Sequence, residues 1–199
     1  MTQSFPTLEA GPRRRRFSTA EYHRLSHAGV LDEDDRVELI RGEIFQMPPI
    51  GSRHAACVEQ VCESMRASID KSLMVRSQQP LQLSDDSEPE PDIALVRRRS
   101  DFYAAAHPQA NEVVLLIEVA ESSSHFDRDE KMPLYAENGI PECWLIDLNR
   151  DRIEVYTEPV RDQYLQVRVF TPGEVIPCPF VQQTSLAVHE LLPARMSSD

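Results

Sequence analysis

Apolar and polar positions follow two periods along this chain, and the changes of period mark where elements begin and end. Ser18 to about His27 reads as a first helix. Ser18 is the N-cap, Glu21 follows at the capping-box spacing, and Gly29 ends the helix. RVELIRGEIFQMP, Arg36 to Pro48, holds two short strand-like runs around Arg41-Gly42 and predicts a hairpin. Pro48-Pro49-Ile50-Gly51 breaks the chain. Ser52 then stands as the cap of a second helix reaching about Lys71. Val58, Val61, Cys62, Met65 and Ile69 recur in it at helical spacing as one apolar stripe, and His54 lies in phase with them.

Downstream the pattern turns to strands. Residues 73–83 read as one strand, with Pro80 marking an irregularity or an edge. Residues 91–97 and 112–121 are the next two strands. A helix from about Asp127 is closed by Asn138-Gly139, and Pro133 makes its first turn irregular. Glu142 to Leu148 is a buried strand, residues 152–158 and 164–170 form a hairpin, and Leu186 to Leu192 adds a turn of helix. This order predicts an α/β or α+β domain with a mixed central sheet, spanning 17–192. Residues 1–16 read as a disordered tail and 193–199 as a second tail.

The 199 residues suit one domain, and a 41% hydrophobic content can fill a core. No apolar run approaches a membrane span. Arg13 to Arg16 are followed by no apolar stretch, which argues against a secretory or twin-arginine leader. Cys57, Cys62, Cys143 and Cys178 have no zinc-like spacing, so the simplest reading is reduced cysteines in a cytoplasmic protein. A net charge of −12 excludes a protein that coats nucleic acid through a broad basic face. It leaves room for a carboxylate-lined metal site. Basic charge is nearly all arginine, so lysine chemistry has only Lys71 and Lys131 to use.

Two apolar strands are each interrupted by one acid: Asp92 in PDIALV and Glu118 in LLIEVAE. A carboxylate in a buried strand is expensive unless something pairs with it. Side chains alternate across a strand, so Asp92 shares a face with Ala94 and Val96, and Glu118 one with Leu116 and Ala120. On adjacent strands the two acids can share a hard cation. The plain structural reading of Asp92 is a strand-opening residue bonded to nearby amides. Glu38, within VELI, is a third candidate acid; its plain reading is an exposed strand residue. His54 either orients water or contacts phosphate, or is a satisfied histidine against the core.

These pieces resemble the PD-(D/E)XK nuclease superfamily and, more closely, the Uma-type family of proposed restriction endonucleases. VELIRGEIFQMPP, His54, PDIALV, LLIEVAESS and DRDEKMPLYAENGIPECWLIDL carry the resemblance over about Phe17 to Leu192. The last piece is long and specific, whereas Pro-Asp alone is weak. The resemblance implies a restriction-endonuclease-like core, a mixed central sheet flanked by helices, extended by N-terminal and C-terminal β-hairpins. One departure matters. The superfamily's lysine position, two residues after the second acid, is Ala120 here, and the Uma-type pattern places its lysine on the following helix, at Lys131. The plain reading of Lys131 is a solvated helix residue paired with Asp127 or Glu130.

The resemblance thus implies a Mg²⁺-dependent (or Mn²⁺-dependent) DNA endonuclease. Asp92, Glu118 and Glu38 would be the metal acids, Lys131 and His54 the further catalytic residues, and a homodimer the assembly by analogy. Two alternatives stay open: a silent module binding nucleic acid or protein, and a metal-dependent hydrolase of small phosphoesters.

Overall fold

In a computed structural model that describes residues 13–194 apart from residues 33, 122 and 183, the chain is built around a six-stranded sheet. The elements in order are α1 (Thr19–His27), β1 (Val37–Ile40), β2 (Glu43–Gln46), α2 (Ser52–Ser68), β3 (Leu73–Ser77), β4 (Ile93–Arg97) and β5 (Val113–Ala120). Then come α3 (Ser124–Phe126), a π-helical turn (Asp127–Lys131), α4 (Met132–Glu137), β6 (Glu142–Asp147), β7 (Arg152–Val160), β8 (Gln163–Phe170), β9 (Val175–Pro177) and β10 (Ser185–Ala187). The expected tails fall mostly outside the described residues, and Arg13–Arg16 are exposed coil.

The sheet runs β3-β4-β5-β6-β7-β8, antiparallel throughout except for the parallel pair β5/β6. That pair is parallel because the helical segment 124–137 carries the chain back across the sheet before β6 starts. The C-terminal hairpin β7–β8 continues this sheet, whereas β1–β2 forms its own two-stranded sheet. Alternation splits the core in two. Ile93, Leu95, Leu115 and Ile117 pack with Val58, Val61 and Met65 of α2 on one face. Ala94, Val96 and Leu116 pack with Leu134 and Tyr135 of α4 and Ile40 of β1 on the other.

Local chemistry explains most boundaries. Ser18 and Glu21 make the expected capping box, and Gly29 takes φ +66 beyond the helix end. Arg41 and Gly42 both have positive φ, the conformation a two-residue hairpin turn of this hand requires. A Cβ on Gly42 would meet Arg16 Cβ at 2.5 Å, so that turn also needs the missing side chain.

Two expectations need correction. Ser52 is the first residue of α2 rather than its cap; Gly51 is the N-cap and supplies no side-chain bond. The single strand over 73–83 is only β3, because Gln78 takes φ +49 and turns the chain out of the ladder. The β9–β10 pair carries too short an alternation to be foreseen.

Candidate active site

One cleft gathers the candidate residues from five parts of the chain. It is lined by six carboxylates, Glu38, Glu90, Asp92, Glu118, Glu121 and Asp127, together with Lys131, Arg36, His54 and Gln78. Asp92 lies one residue before β4. The antiparallel register Ile93↔Ile117 therefore sets it beside Glu118. The hairpin β1–β2 packs on α3, with the Phe45 and Phe126 ring centroids 5.0 Å apart, and Glu38 meets Lys131 of the π turn that follows.

Lys131 is 3% exposed and stands between two acids. Its Nζ donates to Glu38 Oε1 at 3.0 Å and to Glu118 Oε1 at 3.2 Å. Glu118 Oε1 also accepts from the buried Tyr135 hydroxyl at 2.5 Å. Asp92 Oδ2 accepts from the Val119 amide at 2.8 Å. Its Oδ1 meets His54 Nε2 at 2.8 Å and Gln78 Nε2 at 3.3 Å. The amide-bonded reading of Asp92 is thus realised, in a side chain that also lines the cleft. The solvated reading of Lys131 and the exposed reading of Glu38 are not.

Burial alone would push the Lys131 amine down, but Glu118 and Glu38 outweigh it and hold the ammonium well above the ordinary lysine range. Burial raises Glu118 well above the ordinary carboxylate range; Lys131 opposes that, and Asp127 and Asp92 add to it. Burial pushes Asp127 up to about 6 although Lys131 and the Ser123 hydroxyl, 2.6 Å from Oδ2, pull it down. His54 is lowered by burial but raised overall by its bond to Asp92. Six carboxyl groups face one lysine and one arginine, an excess of acids over bases in the cleft.

That charge bears on whether a divalent cation fits. The donors are oxygens, as a hard cation prefers. Glu38 Oε2 is buried without a hydrogen-bond partner, which leaves a lone acceptor directed to no protein group. The residues therefore fit the ion. They form no ready cage: among the described residues no three His, Cys, Asp or Glu side chains are grouped closely enough to hold a metal. Lys131 fills the space between Glu38 and Glu118, and His54 and the Val119 amide hold Asp92.

Tyr135, Asp127, Glu90, Glu121 and Gln78 were not foreseen as site residues. Asp127, Lys131 and Tyr135 recur at four-residue steps, which set side chains on one helical face. That spacing was the available signal. Arg97–Arg99, the nearest basic run to Asp92 in sequence, lie at the opposite end of β4, roughly 16 Å along the strand. Arg98 and Arg99 are bonded there to the Lys71 and Leu73 carbonyls and to Asp101.

The sequence matches the model of the Uma2 family, described as "Putative restriction endonuclease", over residues 19–189. No curated protein matches it. Among solved structures it is similar to a protein from Anabaena variabilis titled a putative nuclease belonging to DUF820. The TM-score is 0.68 at 18% identity, covering 88% of this chain and 97% of that one.

Proposed function

The chain belongs to the Uma2 family, and from that premise we propose that it is a Mg²⁺- or Mn²⁺-dependent endonuclease hydrolysing phosphodiester bonds in DNA, with residues 17–192 as the catalytic unit. The observation that carries the reading is the buried Lys131 ammonium held between Glu38 and Glu118 in the cleft that also contains Asp92. Asp92 and Glu118 would hold the cation, and Glu38 would assist through its unpartnered Oε2. When bound, a hard divalent cation supplies Lewis acidity toward a phosphoryl oxygen.

The remaining steps belong to side chains. Lys131, kept charged by its two acids, donates hydrogen bonds: it orients the attacking water and offsets charge developing on the phosphoryl oxygens. It is not the base. Asp127, at about 6, is a carboxylate basic enough to accept the proton of the attacking water near neutral pH. His54 fixes the Asp92 carboxylate through Oδ1, while the Val119 amide fixes Oδ2. Tyr135 holds Glu118 from the core side.

The test compares supercoiled plasmid with nucleotide phosphoesters in Mg²⁺ and Mn²⁺, using the intact protein and Asp92→Asn. Plasmid cleavage lost in Asp92→Asn is the expected result. Turnover of nucleotides alone would reassign the site to small phosphoesters. No turnover of either substrate, with no DNA binding by Asp92→Asn in Ca²⁺, would leave a non-catalytic module.

A further inference from the structure

Half of the large apolar side chains exposed among the described residues lie on one hairpin: Val160, Leu165, Val167 and Val169 of β7–β8. The last three alternate along β8, so they share one face of the strand. β8 ends the central sheet, and among the described residues no strand pairs with its outer edge. Edge strands are ordinarily guarded by lysine, proline or a bulge. From Gln163 to Phe170 there is neither lysine nor proline, and the register with β7 does not shift, although no pair forms at Leu165, opposite Glu158 with φ +62.

Charge sets this edge apart as well. The chain carries 33 acidic residues and a net charge of −12, so two copies repel over most of their surfaces. The β8 segment QYLQVRVF contains no acid and a single arginine, Arg168. On this segment no acid of one copy meets an acid of the same segment in the other. Apolar side chains with arginine and few acids are also the composition of interface centres.

We propose that β8 pairs antiparallel with β8 of a second copy about a two-fold axis at Val167, joining the two central sheets into one. The strand is self-complementary in this register. Val167 faces Val167 of the second copy, Leu165 faces Val169, and Gln166 faces Arg168. Three apolar pairs then line up on one face, and no like charges stand opposite each other. A register centred on Arg168 would oppose two guanidinium groups. The main-chain groups of the open edge gain partners, as in strand addition generally. The proposal does not rest on the catalytic reading.

Sedimentation velocity over about a hundredfold range of concentration reads the assembly, since association is driven by mass action. The intact protein should move from its 22.7 kDa mass toward twice that value. Val167→Lys should remain at the monomer mass over the whole range while melting at the temperature of dilute, monomeric wild-type protein, because Val167 is half exposed. Val167→Cys supplies an independent reading. The four native cysteines are buried, so mild oxidation should yield a disulfide-linked dimer through position 167. A monomer at every concentration would overturn the proposal. So would a dimer unaffected by Val167→Lys, or a dimer of Val167→Cys that does not cross-link.

Discussion

At the scale of the residue, the site is a balance between one buried ammonium and the acids around it. Removing one partner of a buried ion pair leaves the other uncompensated and typically costs about 3–5 kcal/mol. Lys131→Met should therefore abolish cleavage and also lower the free energy of urea unfolding of the cation-free protein by an amount in that range, with added Mn²⁺ restoring part of it. Undiminished cleavage by this variant would remove Lys131 from the mechanism. Tyr135→Phe deletes only one buried hydrogen bond to Glu118 and should cost about 1–3 kcal/mol in stability. It should also weaken Mn²⁺ binding by calorimetry, because Glu118 loses its fixed orientation. pH provides a third reading. The folded-state pKa of Asp127, about 6, exceeds its unfolded value, so its stabilisation is complete below about 3.8 and disappears as pH rises through about 6. Glu118 and Glu90 shift in the same direction, chiefly through burial. Burial alone would raise Asp147 and Glu154, but Arg128 holds both low, and their opposing contribution is lost only at more acid pH. Cation-free protein should thus gain about 1–3 kcal/mol between about pH 7.5 and 5.5, and Asp127→Asn should flatten the slope. Unchanged denaturation midpoints across that window would contradict the burial of Asp127.

At the scale of the element, the π turn decides which way Lys131 points. Pro133 has no N–H and cannot complete the regular ladder, and Met132 N–H reaches back to the Asp127 carbonyl, five residues away. The widened turn keeps both Asp127 and Lys131 buried. Between them Arg128 faces another way. It donates to Asp147 Oδ2 at 2.7 Å and to both Glu154 oxygens at 2.9 and 3.0 Å, fastening the turn to β6 and β7. Arg128→Ala would leave those two buried acids short of their main partner, with Arg150 and Arg152 compensating in part. We expect a loss of about 2–4 kcal/mol in chemical denaturation and reduced cleavage with the site residues intact. Wild-type stability would show that the anchor is dispensable.

At the scale of the whole molecule, the proposed function has charge govern the approach of DNA. With −12 overall and six acids in the cleft, duplex DNA should be repelled until a divalent cation intervenes. Labelled duplex should bind Asp92→Asn in Ca²⁺ but not in its absence, with affinity falling steeply as monovalent salt rises. Because Arg97–Arg99 stand at the far end of β4, neutralising them should change that affinity little. A large loss on Arg97→Ala would relocate the binding surface to that end of the sheet.

The sequence by itself determined the elements whose signals are local: the capping box at Ser18, the Arg41-Gly42 turn, the apolar stripe of α2 and the acid-interrupted strands. Each rests on contacts within a few residues, where steric and hydrogen-bonding preferences act directly. The pairing of Asp92 with Glu118 was legible for the same reason, since alternation fixes faces once two strands are adjacent. Tertiary structure alone decided that they are adjacent, that β1 lays Glu38 on Lys131, and that α2 delivers His54 to Asp92. It also decided that Tyr135 closes the site from within and that β8 is left as an open edge. Those contacts join residues between 17 and 93 positions apart. No local pattern encodes such a separation; the packing of two faces on one sheet does.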